Sequence, residues 1–234
     1  MNPNSINMAM KTKSTNIRWT YYLIELMVVF VGVTAGFLLN NWREDTAELK
    51  LERRYLESFY ADVKADAIDL DSLIFHSQVK EETLIGILKE SALIGEQLSE
   101  ELAKALVKEI MFIEWFTPAN DTYEDIINSG NLNIISDYTL KEKISSYYSF
   151  LNEVANVEQF YSKHMDSYGF PILYKTYHLL NQEFISKESY QSLEFTNMYL
   201  GVLALLQQNI RVYREALEKN KELETELAKA LGIE

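Results

Sequence analysis

Residues Trp19 to Leu39 read WTYYLIELMVVFVGVTAGFLL. The run is 21 residues long and carries one charge, Glu25. At about 1.5 Å per helical residue it covers a hydrocarbon layer of about 30 Å. Trp19, Tyr21 and Tyr22 precede its apolar centre and Trp42 follows it, with Asn40, Asn41 and Arg43 marking the exit. Amphipathic rings favour the membrane–water boundary, so Trp19, Tyr21, Tyr22, Trp42 and Arg43 are expected to be interface anchors. The spacing predicts a transmembrane helix over 19–42. A cleaved signal sequence is the first rival, because Val33-Thr34-Ala35 supplies small residues behind a basic segment. It is disfavoured because the apolar run continues through Gly36-Phe37-Leu38-Leu39. A buried core helix fits a run of this length poorly.

Outward from the span, the charge is uneven. The net charge is -13, yet Lys11, Lys13 and Arg18 make residues 1–20 wholly basic, so the acid excess lies beyond the apolar run. A strongly acidic surface repels phosphates, which argues against a nucleic-acid partner. The positive-inside signal is weak, since Arg43, Lys50, Arg53 and Arg54 follow the span closely. A short basic tail before an apolar segment is the usual signal-anchor arrangement. The expectation is therefore a cytoplasmic N-terminus, with the C-terminal domain periplasmic in a Gram-negative bacterium.

Inside the span, Glu25, Gly32 and Gly36 are spaced by seven and four residues and share one helical face. Gly32 and Gly36 form a GxxxG, which admits close approach of a second helix. The carboxylate has two readings, snorkelling to the headgroups or contact with another span. A proton-responsive role, as in single-span subunits of ion-driven motors, is disfavoured because nothing downstream resembles a wall-binding module. The expected partners are the lipid bilayer and, through this face, another membrane protein or a second copy of the chain.

The rest reads as all-α. Prolines occur only at 3, 118 and 171, so 4–117 holds no residue that forbids helix. Apolar residues at Leu49, Leu56, Phe59, Val63, Leu70 and Leu73 extend the span into a stalk ending near Phe75. Helices are then expected over Val79–Ser91, from Gly95 or Gln97 to Phe112, and over Thr122–Asn128. The last is closed by Ser129-Gly130, and Ser136-Asp137 starts another helix. Phe170, Tyr174 and Tyr177 are expected to form a core stripe. A final helix over Leu193–Leu231 lies against the stalk or pairs with another copy. The organisation is thus a basic tail over 1–18, the span over 19–42, and an acidic helical bundle over 43–234.

Templates for chemistry fail one by one. His76, His164 and His178 make no HxxxH pair and have no glutamate three residues before them. No GxxxxGK[ST], GxGxxG or GxSxG occurs, and the absence of cysteine removes thiolate chemistry. Neighbouring acids such as Glu81-Glu82 and Glu100-Glu101 point to different helical faces. The expectation is a non-enzyme with no cofactor and no metal site. One irregular stretch around Trp115, Asp121, Tyr123, Asn128 and Asn131 is the candidate ligand or partner segment, with capping and packing as the plainer explanation.

Two motifs carry a resemblance. ELMVVFVGVTAGFLLNNWRE over 25–44, and TYEDIINSGNL over 122–132 followed by Ile134-Ile135, resemble signatures of a bacterial family of single-span membrane proteins of unknown function. The resemblance implies an inner-membrane, single-pass helical protein and brings no active-site residue. The function expected is a membrane-anchored interaction, scaffold or accessory subunit. The alternatives are a periplasmic ligand sensor and an enzyme with a dispersed site.

Overall fold

The computed structural model describes residues 19–93 and 98–233. The basic tail and the break placed at Gly95 lie outside them. The elements are α1 (Trp19–Leu93), α2 (Glu100–Met111), α3 (Asp121–Asn128), α4 (Tyr138–His164), α5 (Phe170–Thr176), α6 (Lys187–Tyr190) and α7 (Leu193–Leu231), with a two-stranded hairpin, β1 (Tyr177–His178) and β2 (Glu183–Phe184). The protein is all-α: a long N-terminal helix followed by a helical bundle. The chain divides into two compact units after Leu49.

The first unit contains the apolar start of α1. Its most apolar 18-residue window has a mean hydropathy of 2.2, and none of that window is buried. It is the one described helix that is long and apolar enough to cross a membrane.

The second unit, from Lys50 onward, owes its core to three seams. On α1, Leu56, Phe59, Val63, Asp66, Leu70, Leu73, Ser77, Lys80, Leu84 and Ile87 alternate steps of three and four residues. On α4 the same alternation joins Leu140, Ile144, Tyr147, Leu151, Val154, Glu158 and Tyr161, and it reaches Met165 just beyond the helix. On α7 it joins Phe195, Tyr199, Val202, Leu206, Asn209, Tyr213, Ala216, Asn220, Leu223 and Leu227. Such a 3.5-residue period keeps one seam facing its neighbours along the helix. Phe59, Val63, Leu70, Ile144, Tyr147, Tyr213 and Leu227 meet in one cluster, and Leu84, Leu106, Ile110, Tyr161, Phe195 and Val202 in another. Each fully buried large apolar side chain contributes about 1.5–3 kcal/mol.

The second half of α7 packs within its own chain, with Leu217, Leu223, Leu227 and Leu231 buried in the first cluster. The break expected between Phe75 and Val79 does not exist. Phe75-His76-Ser77-Gln78 holds neither glycine nor proline, and the α1 seam passes through Ser77 in register. The expected Phe170–Tyr174–Tyr177 stripe also needs correction, because Tyr174 is 63% exposed. A π-helical turn over Met165–Gly169 precedes α5, and Tyr177 lies beyond α5 in β1, opposite Phe184.

Helix ends follow local chemistry. Asp137 accepts from the Thr139 and Leu140 amides, and Ser192 from that of Phe195. Gly130 takes φ 71°, a left-handed conformation that turns the chain after α3.

Candidate functional site

Residues 112–120, Phe-Ile-Glu-Trp-Phe-Thr-Pro-Ala-Asn, have no regular structure. Their backbone is held by side chains of α1 and α4. The Phe116 N–H donates to Glu158 Oε1 at 2.8 Å, and the Ala119 N–H donates to Asp66 Oδ1 at 2.8 Å. Lys80 Nζ donates to the Phe112 carbonyl at 2.6 Å, and Tyr148 Oη donates to the Ala119 carbonyl at 3.3 Å. An irregular segment packed on a bundle needs such partners for its peptide groups.

Both carboxylates are shared with tyrosines. Tyr213 Oη donates to Glu158 Oε1 at 2.7 Å and Tyr147 Oη to Asp66 Oδ2 at 2.8 Å. Asn220 Nδ2 then donates to Tyr147 Oη at 3.0 Å and to the Val63 carbonyl at 2.9 Å. Burial raises the Asp66 and Glu158 carboxyls above the ordinary range, and the amide and tyrosine donors pull them back in part. Burial, reinforced by the adjacent carboxylates, pushes the Tyr147 and Tyr213 hydroxyls upward, so both remain donors at neutral pH. These groups strap a loop to a core.

Beside the strapped segment lies a cleft of about 220 Å³. Phe75, Phe112, Trp115 and Tyr161 supply aromatic walls, and Lys80, Glu109, Glu114, His76 and Asn209 supply polar groups. The Trp115 and Tyr161 rings meet edge to face at 5.6 Å, and Lys80 Nζ stands 5.7 Å from the Tyr161 centroid. Burial lowers the Lys80 ammonium to about 8, against the opposing pull of Glu109 and Glu114. His76 Nδ1 lies 3.1 Å from Glu114 Oε2. Asn209 is 3% exposed, and its Oδ1 has no hydrogen-bond partner.

The five residues of the candidate segment are dispersed. Trp115 lines the cleft. Tyr123 stacks on Tyr148 at 4.4 Å and faces a separate groove with Pro118 and Asn120. Asp121 and Asn128 are the exposed first and last residues of α3. Asn131 Nδ2 reaches Tyr55 Oη at 3.4 Å, and Tyr55 donates to Asp125 Oδ2 at 2.8 Å. Sequence reading missed Asp66, Lys80, Glu158, Asn209 and Asn220. Their signal was available: each is a polar residue at a seam position, with apolar seam neighbours on both sides except at Lys80, which Ser77 precedes.

In the first unit, Trp19, Tyr21, Tyr22 and Trp42 are exposed. Arg43 donates to Asn40 Oδ1 at 3.4 Å, and Asn40 donates to Glu44 Oε1 at 2.8 Å. Glu25 is exposed, and a Cβ at Gly32 or Gly36 would meet nothing within 4 Å. Among the described residues no group of three or more His, Asp or Glu side chains is placed to hold a metal ion. Comparisons with family models, with curated proteins and with solved structures yield no match for this chain.

Proposed function

We propose that this is a membrane-anchored helical interaction protein, an accessory subunit or scaffold rather than an enzyme. The observation that carries the anchor is the fully unburied apolar window at the start of α1. Monomeric soluble proteins rarely leave a continuous apolar surface of that extent in water. Lipid is the partner whose chemistry fits it, and the inner membrane of a bacterium, with the N-terminus inside and the second unit periplasmic, is the location proposed. The two motifs around 25–44 and 122–132 support the bacterial one-span family as part of the same proposal. Association with another span or a second copy is assigned to the Glu25, Gly32 and Gly36 face.

Co-purification of the full chain from native membranes in mild detergent tests the subunit role. A stoichiometric companion that is lost in Gly32→Leu/Gly36→Leu supports it. Recovery of this chain alone, with oligomeric mass unchanged by the two substitutions, contradicts it. A C-terminal alkaline phosphatase fusion checks orientation: high activity is expected, and an inactive fusion places the domain on the cytoplasmic side.

A second reading, a ligand-sensing domain, is favoured by the Trp115 cleft and the unpartnered Asn209 within its lining. Clefts that combine aromatic walls with few polar groups are the usual form of small-molecule sites. A thermal shift of the full chain with members of a metabolite set, absent in Trp115→Ala, supports this reading. The lack of any Trp115-dependent shift removes it.

A further inference from the structure

Asn209 occupies a position where the α7 seam on either side carries Leu206 and Tyr213. A leucine would fill such a place without leaving a polar atom. A buried amide oxygen without a donor costs about 1–3 kcal/mol. Asn220, the other asparagine on this seam, also has an Oδ1 without a partner, but its Nδ2 is committed to Val63 and Tyr147, whereas no hydrogen bond among the described residues holds either end of the Asn209 amide. Native proteins seldom retain such a group without a ligand or water to satisfy it.

The cleft beside it has a size and a charge pattern that narrow the occupant. An apolar cavity of about 150 Å³ takes benzene. A space of about 220 Å³ therefore suits one ring with a small polar substituent. Lys80 can make three hydrogen bonds, and it uses one strong one on the Phe112 carbonyl and a long one, 3.4 Å, to Tyr161 Oη. It retains capacity to donate to a ligand carbonyl. Glu109 and Glu114 both line the cleft with this single ammonium. A carboxylate ligand would be a third anion around one ammonium, and an ammonium ligand, though drawn to the two carboxylates, would stand against Lys80 where an acceptor is wanted. A neutral ligand meets neither penalty.

We infer that the Trp115 cleft binds an uncharged molecule of single-ring size whose amide-like group pairs with the Asn209 side-chain amide and with Lys80. This rests on the ligand-sensing reading and specifies the class of ligand. The full chain is prepared in lipid nanodiscs with Trp19→Phe and Trp42→Phe, leaving Trp115 as the one indole of the three in the sequence. Its indole N–H resonance is followed during titration with benzamide, benzoate and benzylamine at neutral pH. Benzamide is expected to saturate at a concentration about two- to tenfold below the two charged probes, since one net hydrogen bond is worth a factor in that range. Asn209→Leu, with its melting temperature checked, is expected to abolish the benzamide response.

Equal or tighter binding of benzoate or benzylamine overturns the neutral class and leaves the ligand-sensing reading standing. An unchanged benzamide response in a folded Asn209→Leu overturns the role of Asn209. No response to any of the three overturns the proposed ligand class, and the Trp115-dependent thermal shift then decides separately whether the sensing reading survives.

Discussion

The apolar start of α1 and the three seams of the second unit are both helical and rich in Leu, Val and Phe, yet they treat those side chains in opposite ways. In the first unit Val28, Val29, Phe30 and Val31 are all more than half exposed. In the second, Phe59, Val63 and Leu70 are wholly buried. The difference lies in pattern. The seams are apolar on one stripe and polar elsewhere, so they bury the stripe against one another. The stretch from Leu26 to Val33 is apolar all round. A helix of that kind is suited to a solvent that is itself apolar.

The largest expected effect breaks the first half of the comparison. Val29→Arg with Val31→Arg puts two charges at the middle of the apolar run, at about 2.5–3.5 kcal/mol each on insertion scales. Alkaline extraction of membranes is expected to release the double variant, while the thermal unfolding of the second unit stays unchanged. Phe59→Ala is the converse, with an expected loss of about 3–5 kcal/mol in chemical denaturation. Membrane retention of the chain that remains folded is expected to be unaffected.

A third substitution asks whether the polar seam residues belong to the core. Asp66→Ala leaves the Ala119 N–H and the Tyr147 hydroxyl without their acceptor, at about 1–3 kcal/mol for each group. The pH dependence has a definite sign. Because burial raises the folded carboxyl above its unfolded value, the contribution of Asp66 is most favourable at acid pH and is lost as pH rises through the folded value. Asp66→Asn is expected to flatten that part of the stability profile, measured by denaturation between mildly acid and neutral pH.

How far the sequence displayed these features depends on their range. The Leu193–Leu231 helix and the Asp137 cap were legible because periodicity and capping are local. The turn at Gly130 was legible for the same reason. The continuity of α1 through Ser77 was not, because a polar His76–Gln78 stretch resembles a break until its place on the seam is followed. The dispersal of Trp115, Asp121, Tyr123, Asn128 and Asn131 was illegible, since closeness in the chain says nothing about which face of a bundle each reaches. Asp66, Glu158 and Lys80 find their partners 53, 42 and 32 or more residues away in the chain, distances that only the packed helices bring together.

The smallest expected effect comes from Lys80. Its folded value, lowered to about 8, lies below the ordinary lysine value of 10.5, so the unfolded chain holds the extra proton between them. Stability is therefore expected to rise as pH increases above about 8, and Lys80→Met is expected to remove that rise. Denaturation at pH values between 8 and 9.5, below the ordinary tyrosine range, isolates the effect.

The central claim is that the apolar start of α1 lies in lipid. The chain has no cysteine, so Val29→Cys provides a single site for a nitroxide label in reconstituted membranes. Collision rates with oxygen and with a water-soluble nickel chelate then report the surroundings of that residue. High accessibility to oxygen with little to the chelate is the result this account predicts. Ready access of the chelate to residue 29 would place it in water and contradict the account.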